Sequence, residues 1–286
     1  MKNSPELTTE EVKGFLIQPL TAASVVLQNG PVFYDSPTGT PLKIPKLVDD
    51  EDEPGYYGEN EQIGESDPSF DEFTLLPENL KSLKVLHRFS NELARHAVVS
   101  IASTMQQALV RRVASKMDGE FLVGGAGTLD TNGNRGVIGL WNQPDTMTGD
   151  WDMSDSDAVI DSVVDATGKF ISEEVTDLTK VVWFMPTSDF ITLSKVKAAD
   201  GRGLLVPDVT QPGNFTLHGL KVSPTSKLEG KGQMLVNFAF VAVGRDLAPS
   251  VKILDQTYGD YDQLAIRVVT RQDIGILHEQ AVLKLS

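Results

Sequence analysis

The sequence predicts an α+β protein in which helices come first and a run of long strands follows. Three observations carry this prediction. An apolar stripe at spacings of three and four residues passes through Val98, Ile101, Met105, Leu109, Val113 and Met117, the pattern of one long amphipathic helix. The stretch Val181–Met185 is apolar on both faces, as a strand in mid-sheet must be. Beyond it, Leu217–Val222, Met234–Val243, Val251–Gln256, Gln263–Arg271 and Ile274–Leu285 all read as strands. No internal repeat is present.

Residues 1–41 allow a helical turn at Thr9–Lys13 and then meet Gly and Pro breakers. Their apolar content (Phe15, Leu16, Ile17, Val25, Val26, Leu27, Val32, Phe33) predicts an arm that docks on a neighbouring copy, not a disordered tail. Leu42–Val48 is a short strand leading into the acidic run Asp49–Glu53 and a turn at Pro54-Gly55. The stretch from Tyr56 to Phe73 reads as a polar two-stranded arm, with Pro68 limiting the return strand to edge pairing. An arm with so little apolar surface cannot hold a core of its own and has to lie on something else. With no catalytic cluster visible, the expected support is a second copy of the chain.

From Leu83 the pattern alternates, with Leu83, Val85, His87 and Phe89 on one face and Lys84, Leu86 and Arg88 on the other. Ser90 is the expected N-cap of the long helix, with Asn91 and Glu92 in its first turn. About 25 residues of helix would span roughly 38 Å. The helix stops at the glycine-rich loop Val123-Gly-Gly-Ala-Gly-Thr128, which runs on into Asp130-Thr-Asn-Gly-Asn-Arg-Gly136. A second helix starts at Ser154, with Asp155 and Asp157 near its N-terminus and Val159, Ile160, Val163 and Val164 buried. A third, Ser188–Ala198, follows Pro186-Thr187 and closes at Asp200-Gly201.

Composition narrows the function. A chain of 286 residues is long enough to bury roughly three quarters of its unfolded surface. The absence of cysteine removes disulfides, thiolate nucleophiles and cysteine-based metal sites. A formal charge of −15 argues against tight sequence-independent duplex binding and predicts self-association that strengthens as salt screens repulsion. No apolar run is long enough to cross a bilayer. The N-terminus is acidic and lacks a secretory h-region, so the expected site of synthesis and folding is the cytoplasm.

Candidate chemical motifs read more simply as structure. The glycines at 124, 125 and 127 leave a helix instead of opening one, and no Gly-Lys-Ser/Thr follows, so they end a helix and do not cradle phosphate. Asp130-Thr-Asn-Gly-Asn134 resembles a calcium loop, but Arg135 displaces the turn glycine and the twelfth position is Trp141. An Asx-rich turn is expected there. His87, His96, His218 and His278 show no metal-ligand spacing. No catalytic residue, cofactor or metal is expected.

The order of these signals resembles the major capsid proteins of tailed double-stranded-DNA phages, the Hong Kong 97-type family. The resemblance is carried by Gly14-Phe-Leu-Ile-Gln-Pro19, by Gly58-Glu59 with Glu65-Ser-Asp-Pro-Ser-Phe70, and by Ser90-Asn-Glu-Leu93. It continues through Phe121–Thr128, Gly136-Val-Ile-Gly-Leu140, Phe184-Met-Pro186 with Asp200-Gly-Arg-Gly-Leu-Leu205, Leu217–Val222 and Arg271–His278 with Ala281–Lys284, nearly the whole chain. It implies an N-terminal arm (1–41), an extended β-hairpin loop (42–82), a peripheral domain with a long spine helix (83–150 and 246–270) and an axial domain (151–245 and 271–286). It further implies a virion protein that assembles with itself into pentamers and hexamers of an icosahedral head, without a membrane. Portal protein and separate scaffolding or decoration proteins are the other implied partners, and packaged double-stranded DNA is contacted without base specificity.

Two departures bear on this. Some members cross-link subunits through a lysine just before the acidic-Ser-Asp stretch, where this chain has Gln62, Ile63 and Gly64. The arm-like motif begins within the first twenty residues, so a fused scaffolding segment is not expected.

The candidate inter-subunit residues are Phe15, Leu16 and Ile17 in the arm, Tyr56 and Tyr57 in the loop, and the acids Asp49, Asp50, Glu51, Asp52 and Glu53. The acids face two readings, a solvated charge run or partners for Lys81, Lys84, Arg88, Arg111 and Arg112 of an adjacent copy. Exposed pairs of that kind contribute about 0–1 kcal/mol each and would set register more than hold a shell. Two alternatives stand beside the phage head: an encapsulin-type shell around protein cargo, and a soluble metal-dependent α+β enzyme using Asp130, Asn132, Asn134 and the acids of 150–157.

Overall fold

Six consecutive buried residues, Val181–Pro186, form the strand around which the chain is organised. The computed structural model describes residues 18–36, 40–47, 56–59, 70–90, 92, 101–125, 129–144, 146–172, 178–197, 201, 203–207, 213–246, 250–254, 257–278 and 281–286. Its helices are α1 (Gln18–Ala23), α2 (Ile101–Val123), α3 (Ser156–Ser172) and α4 (Thr187–Leu193). The strands up to the central one are β1 (Val32–Ser36), β2 (Leu42–Leu47), β3 (Phe70–Leu75), β4 (Leu83–Ser90), β5 (Met147–Gly149) and β6 (Val181–Pro186). After it come β7 (Leu205–Pro207), β8 (Phe215–Leu217), β9 (Leu220–Thr225), β10 (Gln233–Asn237), β11 (Val241–Asp246), β12 (Ser250–Leu254), β13 (Gln263–Thr270), β14 (Gln272–Ile276) and β15 (Val282–Leu285).

A seven-stranded mixed sheet runs β5-β15-β10-β6-β9-β8-β7. Successive side chains of a strand point to opposite faces, and here both faces are covered. Val181, Trp183, Met185, Leu235, Leu283 and Leu285 join Val159, Val163, Ala166 and Phe170 of α3 in one core. Val182, Phe184, Met234, Val236 and Val282 face the other way and join Leu109, Val113, Met117 and Phe121 of α2 in a second core. That second core also takes in Val241, Val243, Ile266, Val268, Ile274 and Ile276, from the small sheets β1-β11-β14 and β12-β13-β4. One sheet thus serves as a wall shared by two cores.

The Leu83–Ser90 alternation is present as β4, which pairs antiparallel with β13 along its length, Leu83 opposite Thr270 and Ser90 opposite Gln263. Ser90 Oγ accepts from the Glu92 amide at 3.2 Å, an N-cap contact. Of the stripe predicted for the long helix, Leu109, Val113 and Met117 are buried. Val98 lies outside the described residues. The helix ends where Gly124 and Gly139 meet backbone to backbone. A Cβ on Gly139 would sit 2.3 Å from the Gly124 nitrogen, so both positions need a residue without a side chain. Asn142 Nδ2 donates to the Gly124 carbonyl at 2.6 Å and caps the terminus.

Several expectations need correction. Residues 18–36, expected to dock on a neighbour, pack within their own chain. Leu20, Val26 and Leu27 are buried in the α2 core, and β1 pairs in parallel with β11. Pro19, read as a breaker, sits in the first turn of α1 instead, a position proline favours. Phe15–Ile17 and Thr9–Lys13 lie outside the described residues. The single strand expected over Met234–Val243 is two, in different sheets, because Asn237 Oδ1 accepts from the Ala239 amide at 3.0 Å and turns the chain. The segment Ile274–Leu285 likewise breaks, after Ile276, and resumes as β15 in the large sheet. β11 and β14 therefore group with β1 in a small sheet of their own. The second helix starts two residues later than expected, with Asp155 Oδ1 accepting from the amides of Asp157 (3.0 Å) and Ala158 (2.8 Å). The third ends at Leu193 instead of Ala198, tightened by amide bonds from Lys195 and Val196 to carbonyls three residues back.

Among the described residues β2 and β3 pair only with each other, from Leu42 opposite Leu75 to Leu47 opposite Phe70. At the foot of this hairpin the tip of the Phe73 ring meets Gly275, where an added Cβ would fall 1.8 Å from Cζ. Gly275→Ala should therefore push the ring aside and cost about 1–3 kcal/mol in urea unfolding. In a Phe73→Ala background most of that cost should disappear; an unchanged penalty there would show that the contact is not its source.

Candidate assembly surfaces

The hairpin is held at its foot by buried polar chemistry. Leu75 and Leu76 are fully buried, and Leu76 adopts φ 55°, a conformation that L-residues rarely take. Its amide donates to Asp273 Oδ2 at 3.1 Å, while Arg271 donates to the Leu76 carbonyl at 3.2 Å and to that of Pro77. Asp273 is 1% exposed, and it also accepts from Arg135 Nη2 at 3.2 Å and from the Ile274 amide at 3.1 Å. Burial nevertheless raises its pKa, outweighing the Arg135 charge and these hydrogen bonds. Along the hairpin, among the described residues, Lys43 and Glu72 form an ion pair with both side chains about two-thirds in solvent, which contributes little.

Beside this foot, Asp130 organises a tight turn. Its Oδ1 accepts from the amides of Asn132 and Asn134, each at 2.9 Å, and its Oδ2 meets Lys81 at 3.0 Å. The Asn134 amide, followed by Lys81, holds its carboxyl below the usual range. These are the contacts of an Asx turn, and among the described residues no group of three or more His, Asp or Glu side chains could hold a metal. The histidines are likewise dispersed: His218 Nδ1 is 3.2 Å from Thr167 Oγ1, and His278 packs on Phe240. His96 lies outside the described residues. No helix among the described residues is long and apolar enough to cross a membrane.

A second buried carboxylate ties the N-terminal segment to α2. Asp118 accepts from Ser24 Oγ (2.5 Å) and from the amides of Val25 (3.0 Å) and Val26 (3.3 Å). Burial again raises its pKa, against the opposing pull of those donors and of Lys227.

The predicted interface residues scatter over the surface. Tyr56 and Tyr57 are exposed, and Asp49–Glu53 lie outside the described residues. Lys81 is engaged by Asp130, and the Arg88 guanidinium stacks 4.1 Å over the Tyr258 ring, so both have partners in their own chain. Lys84 lies on the exposed face of β4. Arg111 and Arg112 are exposed on α2 and line a concavity of about 570 Å³ with Ala108, Ser115, Lys116 and Lys227. Sequence reasoning missed the last two. Lys116 was visible as the residue one helical turn after Arg112, whereas Lys227 arrives only through folding.

Removing the Asp118 carboxylate by Asp118→Ala strands three donors and should cost roughly 3 kcal/mol in denaturant unfolding. For Asp118→Asn the pH dependence has a definite sign. A raised folded pKa gives stability that is fully present below the unfolded value near 3.8 and is lost as pH rises through the folded one. The deficit of the variant relative to wild type should thus be largest in acid and narrow toward neutrality. A deficit that grows with pH would contradict the assignment.

The model of the family described as "Phage capsid family" matches residues 7–286. Among solved structures, the capsid of a native GTA particle superposes with a TM-score of 0.60 at 16% identity, covering 100% of this chain and 92% of that one. A Mycobacterium phage Cain structure gives 0.62 at 15% identity over 99% and 98% of the two chains. The virus-like particle from Pyrococcus furiosus gives 0.60 at 9% identity over 97% and 98%. No curated protein matches the chain.

Proposed function

The chain belongs to the phage capsid family, as a structural and non-enzymatic major capsid protein of the virion, and from that premise we propose how its surfaces join. Copies assemble with one another into a shell. In our reading the β2–β3 hairpin reaches over the adjacent copy. The observation that carries this is its topology: among the described residues the two strands pair with no third strand, and the hairpin is clamped to the parent chain at its foot. A lone two-stranded ribbon is marginal in water and gains stability once a second surface covers it. Contact between different patches of successive copies is heterologous, and closes into rings that tile an icosahedral head as pentamers and hexamers.

The seven-stranded sheet with α3 and α4 would sit near the capsomer axes, and α2 with the small sheets nearer the periphery. The acids Asp49–Glu53, with Tyr56 and Tyr57, would seat on a neighbour, with Lys84 and the Arg111–Arg112 face as candidate basic counterparts. Portal protein and separate scaffolding or decoration proteins complete the particle, and double-stranded DNA fills it. The family match and the phage capsids among its structural relatives favour a head over a cargo-enclosing compartment.

Ile44 stands opposite Phe73 in the register, so residues 45–72 can be replaced by a two-residue hairpin turn that keeps the Phe73 contact. The shortened protein should melt within about 5 °C of wild type. It should also remain as separate protomers where wild type gives shells by electron microscopy. Shells formed at wild-type yield would refute the hairpin's role.

A further inference from the structure

Against a net charge of −15, one concavity of the protein has only basic residues among its charged lining. Arg111, Arg112 and Lys116 project from the exposed side of α2, and Lys227 closes the hollow from the turn after β9. Lys116 meets Glu120 at 2.6 Å, while Arg111 and Arg112 have no carboxylate within ion-pairing distance among the described residues. Ser115 is the remaining polar group, so apart from that hydroxyl the polar lining offers donors alone. A peptide partner presents amides and carbonyls together and calls for a mixed lining. A phosphodiester backbone presents acceptors at regular intervals, and it is contacted by arginine, lysine and serine side chains. Arg112 and Lys116 are one turn apart, about 6 Å along the helix, so the two cations can meet phosphates along one strand.

We propose that this face of α2 contacts the phosphate backbone of the enclosed nucleic acid, and therefore points to the shell lumen. The proposal rests on the shell reading above and adds the surface and the ligand chemistry. Contact is independent of sequence, because no side chain here is placed to read base edges. It is weak for each copy and is repeated over the whole inner surface.

The test uses full-length dissociated protein and a short duplex of random sequence, with binding followed by fluorescence anisotropy across a salt series. Four phosphate contacts predict a slope of log K against log salt of about −3 to −4. Arg111→Ala/Arg112→Ala should make the slope shallower by about 2. Lys116→Gln/Lys227→Gln should do the same, as a second variant in case the arginine pair disturbs the helix. Shell formation by each variant is scored separately by microscopy. No salt-dependent binding by wild type, or an unchanged slope in both variants, overturns the proposal while leaving the shell reading intact. Loss of shells with duplex binding untouched makes this face a contact between copies, and also overturns it. Failure of wild type to form shells at all counts against the shell reading instead.

Discussion

Two strands that, among the described residues, pair with each other and with no third strand impose the main constraint on this protein. Among the described residues no third strand pairs with either outer edge, and at the foot Leu75 and Leu76 are fully buried while Phe73 meets Gly275. Pro45 and the exposed Lys43 and Glu72 discourage further strand addition at those edges. What remains is a ribbon that cannot bury itself but resists indiscriminate sheet growth. Such an element gains its free energy from another surface, and in a protein that assembles with itself the available surface is the next copy.

A ribbon of this kind is useful only if its direction is fixed. The left-handed backbone at Leu76, the buried Asp273 that takes the Leu76 amide and the Arg135 guanidinium, and the Arg271 bonds to the following carbonyls together set the angle at which the hairpin leaves. Strain and a desolvated carboxylate cost stability at that point, and both cores offset it. Because the large sheet forms the wall of both, displacement of α2 is resisted by α3 across the same strands, including Trp183 on one side and Phe184 on the other. A subunit braced in this way can pass load from its hairpin to its neighbours without deforming internally.

Much of this was legible in the sequence, and the failures have physical causes. Periodicity alone identified β4, the C-terminal half of α2 and the central strand, because each buries a regular face. The helix-ending Gly124 and the Asp130 turn were readable from local chemistry, whereas the close approach of Gly139 to Gly124 was not. The arm assignment for residues 18–36 failed because Val26 and Leu27 look the same whether they dock on their own chain or on another. What decides it is Asp118, ninety-four residues from Ser24, which is invisible to local pattern. The strand break at Asn237 was missed because apolar residues (Phe238, Ala239, Phe240) continue through the turn, whereas the polar His278-Glu279-Gln280 after Ile276 was an overlooked signal of the second break. The basic hollow was half visible, as Arg111 and Arg112, and was completed only when folding brought Lys227 to the helix.

The most direct measurement is a cryo-electron microscopy map of the assembled protein at a resolution that traces the backbone between Leu42 and Leu75. The account predicts closed particles in which that ribbon, leaving its parent at Leu76, lies across the adjacent copy. A map in which it curls back onto its own α2 core, or a sample that yields only solitary protomers, would contradict it.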